Sequence, residues 1–267
     1  MLVVDRVTFA YGDALPALAD VSFRADAGEV LAIVGRNGAG KTTLLRLLDG
    51  LARPTSGTIV ADGCPTHATP VHVLARHVGT VFQSPEQQIF NPTVRAEIAF
   101  GPRQLGLAGE ALDARVDAVL ERTGLTAHAG AHPLDLDQAT LRLVALGSVL
   151  AMQPPIVLLD EPQRGLDAPA AARLESIVAA EAARGTCVVL VCHDMDFVAR
   201  RADRVLALAD GRVVADRATL AFFADSEVTR AAGVEAPEPL ALAAALGLPP
   251  ALTPAAFAET WLRAHGG

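Results

Sequence analysis

The sequence predicts an α/β fold, a sheet whose buried strands alternate with helices and carry the chemistry at their ends, and three observations predict it. Val30 to Val34 is an apolar run that breaks into a glycine-rich loop, Gly35-Arg36-Asn37-Gly38-Ala39-Gly40-Lys41-Thr42-Thr43, and then an amphipathic helical pattern at Leu44, Leu45, Leu47, Leu48 and Leu51. Ile156 to Leu159 is a second apolar run, ending in Asp160-Glu161, and Thr186 to Cys192 a third, ending in His193-Asp194. Between the first two, roughly Thr93 to Ala151 changes to helical periodicity, with helices expected over Glu110 to Leu120 and Thr140 to Met152.

The loop is the strongest signal. Gly35, four residues, then Gly40-Lys41-Thr42 is the phosphate-binding loop pattern in its proper place between strand and helix. Glycines let the backbone turn its N–H groups inward around a polyphosphate, and the following helix points its positive end at the same anion. Lys41 is expected on the β- and γ-phosphates and Thr42 on Mg2+. Lys41 is also the only lysine in the chain, every other basic side chain being arginine or histidine. A compact ammonium on a flexible stem suits a tight loop where a planar guanidinium does not. In this setting Asp160 is expected to help hold the metal, and Glu161 to act as base toward an attacking water. His193 is expected at the carboxyl edge of its strand, where open α/β sheets bind ligands.

The flanking segments complete the sheet. Leu2 to Phe9 and Ala19 to Phe23 read as strands, with a turn at Tyr11-Gly12-Asp13 between them. Tyr11, the only tyrosine, lies shortly before the phosphate loop and offers a ring for adenine stacking; a plain turn residue is the alternative. Thr58 to Val60 and Val78 to Phe82 are further strands, the latter leading into Gln83. Asp167 to Ala183 reads as a helix, and Arg204 to Ala209 with Arg212 to Asp216 as a closing hairpin around Gly211.

Composition narrows the function classes. A chain of 267 residues with 51% hydrophobic content can bury one large domain and a small appendage. Its net charge of −8 and scattered arginines argue against a nucleic-acid partner. Cys64, Cys187 and Cys192 are odd in number and widely spaced, as expected of reduced core thiols. Cys192 and His193, as strand neighbours, face opposite ways and make a poor zinc pair. Met1 to Arg6 carries a charge pair too early for a signal peptide, and the longest apolar stretch, Pro239 to Leu252, is broken by Pro249 and Pro250. A soluble chain is expected, with any membrane role running through a partner.

Over about residues 1 to 217 the chain resembles the ATP-binding subunits of ABC transporters. The phosphate loop, Gln83, Asp160-Glu161, Gly165-Leu166-Asp167 and His193 stand in the order of that family's Walker A, Q-loop, Walker B, D-loop and switch histidine. The resemblance implies a P-loop NTPase of the ABC ATPase type. It would have a RecA-like core sheet, an antiparallel β-subdomain, a helical subdomain over about residues 93 to 152, and a small extension over 218 to 267. It also implies ATP and Mg2+ as cofactors. The nucleotide would be held by Tyr11 and Gly35 through Thr43, the metal by Thr42, Gln83 and Asp160, with Glu161, His193 and Gln83 as the catalytic group.

Val81 to Phe90, continued by Asn91-Pro92-Thr93-Val94 and Ala99-Phe100-Gly101-Pro102, is similar to energy-coupling factor (ECF) importers of vitamins and transition metals, as is the tail with Phe222-Phe223 and Leu246 to Pro250. That similarity implies a second ATPase subunit, a membrane T-component and a substrate-binding S-component, at the cytoplasmic face of the membrane. Two alternatives stay open: a regulatory nucleotide-binding subunit with little turnover, and an ABC ATPase acting outside transport.

One segment departs from the family. The signature, normally Leu-Ser-Gly-Gly-Gln, falls on Leu136-Asp137-Gln138-Ala139-Thr140. In the family this segment and the D-loop, here ending at Asp167, cross a dimer interface to the other subunit's γ-phosphate. Asp137 would bring a carboxylate there, although it is equally a good N-cap for the helix that follows. The expectation is a working ATP site paired with a defective signature, better suited to a heterodimer than to a homodimer.

Overall fold

The computed structural model describes residues 1–12 and 15–265, so Asp13, the last residue of the expected turn, lies outside the described residues. Among the described residues ten strands form two sheets: β1 (Leu2–Phe9), β2 (Leu18–Ala25), β3 (Val30–Val34), β4 (Ser56–Ala61), β5 (Cys64–Pro65), β6 (Val78–Val81), β7 (Ile156–Asp160), β8 (Cys187–Val191), β9 (Arg204–Ala209) and β10 (Arg212–Ala218). The helices are α1 (Lys41–Leu48), α2 (Val71–Leu74), α3 (Val94–Gln104), α4 (Gly109–Thr123), α5 (Gln138–Leu150), α6 (Ala168–Ala183) and α7 (Met195–Arg201). The C-terminal segment adds α8 (Thr219–Ala224), α9 (Ser226–Ala232), α10 (Glu238–Ala245) and α11 (Pro254–His265).

The larger sheet has the order β10-β9-β3-β8-β7-β6. Its pairs from β9 to β6 are parallel, and only the β10–β9 hairpin is antiparallel. Parallel strands need both faces covered, which is why β3, β7 and β8 are buried at every position. Their alternation sorts them into two cores. Val30, Ala32, Val34, Val157, Leu159, Val188 and Leu190 pack with α3 to α6, while Leu31, Ile33, Ile156, Leu158, Val189 and Val191 pack with α1 and the smaller sheet. That sheet is antiparallel, in the order β2-β1-β4-β5.

Parallel register brings the sheet's carboxyl ends together. Ile33 of β3 is level with Val191 of β8, and Val191 with Asp160 of β7. The loops that leave β3, β8, β7 and β6 therefore emerge side by side, and they carry Gly35, His193, Glu161 and Gln83. This edge is where the site forms.

Several expected boundaries shift. Helix α1 stops at Leu48, because Asp49 is its C-cap and Gly50 takes φ 76°, so Leu51 lies outside the helix and is 56% exposed. Asp167 is not helical but caps α6, accepting from the Ala170 N–H at 2.9 Å. Helix α5 begins at Gln138, two residues before the expected start, with Asp137 as its cap. Cys187 and Cys192 are core thiols, whereas Cys64 is only partly buried on the short β5. Phe222 and Phe223, from the C-terminal segment, are buried in the same cluster as β3 and β8.

Candidate functional site

The phosphate loop is shaped by glycines in backbone conformations that side chains rarely adopt. Gly35, Gly38 and Gly40 hold φ of 144°, 83° and 101°. A Cβ on Gly35 would stand 2.2 Å from the Leu208 carbonyl oxygen, and one on Gly40 would stand 2.6 Å from Leu18 Cδ2. Gly40 caps α1 without a side-chain hydrogen bond, leaving the first N–H groups of that helix directed into the loop. Lys41 is 6% exposed and its ammonium donates to the carbonyls of Gly35 at 2.7 Å and Arg36 at 2.9 Å. Burial lowers its pKa, against the opposing pull of Glu161 and then Asp160. Arg36 lies against Gly233 of the C-terminal segment, so close that a Cβ there would be 2.1 Å from its Nε.

Glu161 is the hub of the opposite wall. It sits at φ 48°, a left-handed conformation uncommon for a side chain of its kind, and its N–H donates to the Val191 carbonyl at 2.9 Å. That turn aims the carboxylate between three partners. Gln83 Nε2 donates to Oε2 at 3.3 Å, His193 Nε2 lies 3.2 Å from Oε1, and Arg164 Nη1 lies 3.8 Å from Oε2. Burial, with the Lys41 charge, lowers the His193 pKa against the pull of Glu161, which leaves the imidazole neutral at physiological pH.

Asp160 is 7% exposed, and burial, reinforced by the Glu161 charge, pushes its pKa up to about 6, against Lys41 and Arg46. Thr42, Gln83 and Asp160 line one cavity of about 560 Å3, together with Asp49 and Thr80. A hydroxyl, an amide oxygen and one carboxylate are hard oxygen donors, and a single carboxylate is what a cation sharing its shell with phosphates and water requires. The raised Asp160 pKa marks a charge that such a cation would relieve, so the donor set fits Mg2+. Lys41, Thr42, Thr43, Gly38, Gln83, Glu161 and His193 line an adjoining cavity of about 280 Å3.

Tyr11 closes the outer side of the loop. It is half exposed, stands edge-on to Phe9 with ring centroids 4.8 Å apart, and its hydroxyl is 3.2 Å from Thr43 Oγ1. Asn37 and Gly38 are exposed on the rim of the loop, and Ala39 is buried beneath it. The structure thus brings Tyr11, the loop, Gln83, Asp160, Glu161 and His193 to one edge. Leu136, Asp137, Gln138, Ala139, Thr140 and Asp167 are in none of these contacts, lying instead at the N-terminal ends of α5 and α6.

At the head of α5 both oxygens of the Asp137 carboxylate accept a hydrogen bond from Thr140. Oδ1 accepts from the Thr140 N–H at 2.9 Å and Oδ2 from the Thr140 hydroxyl at 2.8 Å. These bonds, the backbone one foremost, lower its pKa, so it is ionised at neutral pH.

Two arginines at the site carry no distinguishing mark in the sequence. Arg142 of α5 donates to the Gln83 carbonyl at 3.1 Å, and Arg46 of α1 supplies positive potential to Asp160 and Asp49. Each occupies an ordinary helical position, and only the packing of distant segments brings it to the site.

Residues 18–164 match the family model described as ABC transporter. The chain belongs to the ABC transporter family of ATP-binding subunits. Among similar proteins is the energy-coupling factor transporter ATP-binding protein EcfA2 of Symbiobacterium thermophilum, 39% identical across 91% of this chain and 86% of its own. Another is EcfA of Methanothermobacter thermautotrophicus, 34% identical across 89% and 77%. The solved structure of cbiO1 from Clostridium perfringens, described as part of the ABC transporter complex cbiONQ, superposes with a TM-score of 0.77 at 31% identity, over 86% of this chain and 92% of that one. A dimeric ATP-binding cassette solved in a post-hydrolysis state with ADP and Pi gives 0.73 at 26% identity, over 82% and 99%. This ABC ATPase is thus an ATP-hydrolysing transporter subunit with ECF-type relatives. No helix among its described residues is long and apolar enough to cross a membrane.

Proposed function

We propose that this ABC ATPase powers the import of a vitamin or transition metal ion through a T-component and an S-component, as one half of an asymmetric ATPase dimer at the cytoplasmic membrane face. Residues 1 to 217 would form the ATPase domain, with its helical subdomain over about 93 to 152, and 218 to 267 the ECF-type extension. The likeness to proteins named as ECF transporter subunits supports the transport reading.

In this reading the N–H groups from Gly35 to Thr43, with Lys41, hold the triphosphate, and Tyr11 backs the adenine. Thr42, Gln83 and Asp160 hold Mg2+, which when bound neutralises charge on the phosphates. Glu161 orients and deprotonates water, Gln83 and His193 keep its carboxylate in place, and neutral His193 reads the γ-phosphate. Leu136 to Thr140 and Asp167 meet the partner ATPase.

The asymmetry rests on one observation, the occupied carboxylate of Asp137. A helix N-terminus attracts a phosphate through unpaired N–H groups and its positive end; Asp137 takes up one of those groups, the Thr140 N–H, and sets a negative charge against the positive end. Presented to a γ-phosphate about 4 Å away it would repel it by roughly 4 kcal/mol at an effective dielectric of 20. A partner with an intact signature would complete the site built on Lys41 and Glu161, whereas two copies of this chain would leave both sites incomplete. Steady-state ATPase assays test this: the unaltered chain alone should turn over slowly, and Asp137→Ser should raise its rate at least tenfold. Fast hydrolysis by the unaltered chain alone would refute the asymmetric reading.

A further inference from the structure

Away from the nucleotide edge, a cavity of about 440 Å3 opens where α4, the end of α5 and the end of α6 converge. Its apolar wall is Ala111, Ala114, Ala118, Val119 and Leu150. Three guanidinium groups, Arg115, Arg122 and Arg184, complete the lining together with Gln153, and no carboxylate is among the lining residues.

The arginines are poorly compensated. Glu181, buried behind them, is the acid that two of them share: Arg122 Nη2 is 2.7 Å and Arg184 Nη1 3.4 Å from the same oxygen, Oε1. The other oxygen accepts from the Thr186 hydroxyl at 3.1 Å, so a single negative charge is shared between two guanidinium groups and a hydroxyl. Arg115 donates to the neutral Ala151 carbonyl at 3.0 Å and takes part in no ion pair among the described residues. Arg122 Nε is buried without a hydrogen-bond partner among them. Three positive charges thus face one negative charge, in a chain whose net charge is −8. Burial lowers the Arg122 pKa, and the neighbouring Arg184 charge pushes the same way against Glu181.

We propose that this cavity is a binding site for a small organic phosphate or phosphonate dianion. Paired guanidinium forks match the geometry of phosphate oxygens, and the alanine, valine and leucine wall takes a short apolar body. The volume lies within the range of about 300–1,000 Å3 usual for small-molecule sites. A local concentration of positive charge on an acidic protein is the place such an anion would be drawn to. Because the arginines come from α4 and from the C-cap of α6, a bound dianion ties the helical region to the helix that follows the β7 acids.

The test uses phenylphosphonate at alkaline pH on the full chain saturated with Mg-ADP, so that the phosphate loop is already occupied. Calorimetric titration should show one saturable site, weakened about tenfold by Arg184→Gln and at least a hundredfold by the Arg115→Gln, Arg184→Gln double variant. Arg184 is half exposed, so the single variant keeps its fold even if the double variant does not. Absence of saturable binding by the unaltered chain, or undiminished affinity in Arg184→Gln, would overturn the proposal.

Discussion

Glu161 makes no more than a few contacts, but each ties a different loop to the same carboxylate. Gln83 and His193 both reach it, and its left-handed backbone is held by the Val191 carbonyl. Glu161→Gln keeps the shape and removes the base, so hydrolysis should fall by a factor of about 10²–10⁴ while Mg-ATP affinity measured by calorimetry stays within twofold. A second residue-scale consequence concerns Asp49. It is 9% exposed, and burial pushes its pKa up to about 6, against hydrogen bonds from the Leu51 N–H and the Thr80 hydroxyl and the Arg46 charge. The native state therefore holds this proton in the range where the unfolded chain has released it. Stability falls as pH rises from about 4 to 6, and the loss persists above that range. Asp49→Asn removes the penalty and should stabilise the protein at pH 7 by on the order of 2 kcal/mol, with no gain near pH 4, as measured by urea unfolding.

At the scale of elements, α5 carries two jobs that the sequence shows unequally. Its N-cap was legible: Asp137 ahead of Thr140 is a capping pattern, and the helix runs from Gln138 to Leu150, two residues earlier at each end than expected. Its link to the Q-loop was not, because the bond from Arg142 to the Gln83 carbonyl joins residues 59 positions apart. The capping geometry separates structure from chemistry at Asp137. Asp137→Ala should cost about 1 kcal/mol of stability in urea titration, while Asp137→Ser, an equally good cap, should cost almost nothing and still raise turnover. If both variants destabilised the chain equally, the carboxylate would be doing something other than capping. The strands behaved differently from the helix ends: β3, β7 and β8 are continuous apolar runs, and burial on both faces of a parallel sheet is what such runs encode.

For the molecule as a whole, the grouping of the candidate residues was legible in the sequence because they lie at chain positions that a parallel sheet gathers at one edge. Gly35, Gln83, Glu161 and His193 lie just beyond the ends of strands β3, β6, β7 and β8, which are consecutive neighbours as β3-β8-β7-β6. What stayed hidden depends on packing between distant segments with no periodic signature. Arg36 lying against Gly233, Phe222 and Phe223 in the main core, and the three arginines around the α4–α6 cavity are of this kind. If the loop between β3 and α1, with the one lysine of the chain, grips the triphosphate, removing that ammonium must weaken binding. Equilibrium titration of Mg-ATP against the unaltered chain and Lys41→Ala tests it most directly. Saturable binding by the unaltered chain and at least a tenfold loss in the variant are expected, since a charge-assisted bond to phosphate is worth about 1.5–3 kcal/mol. Equal affinity in the two proteins would contradict that grip.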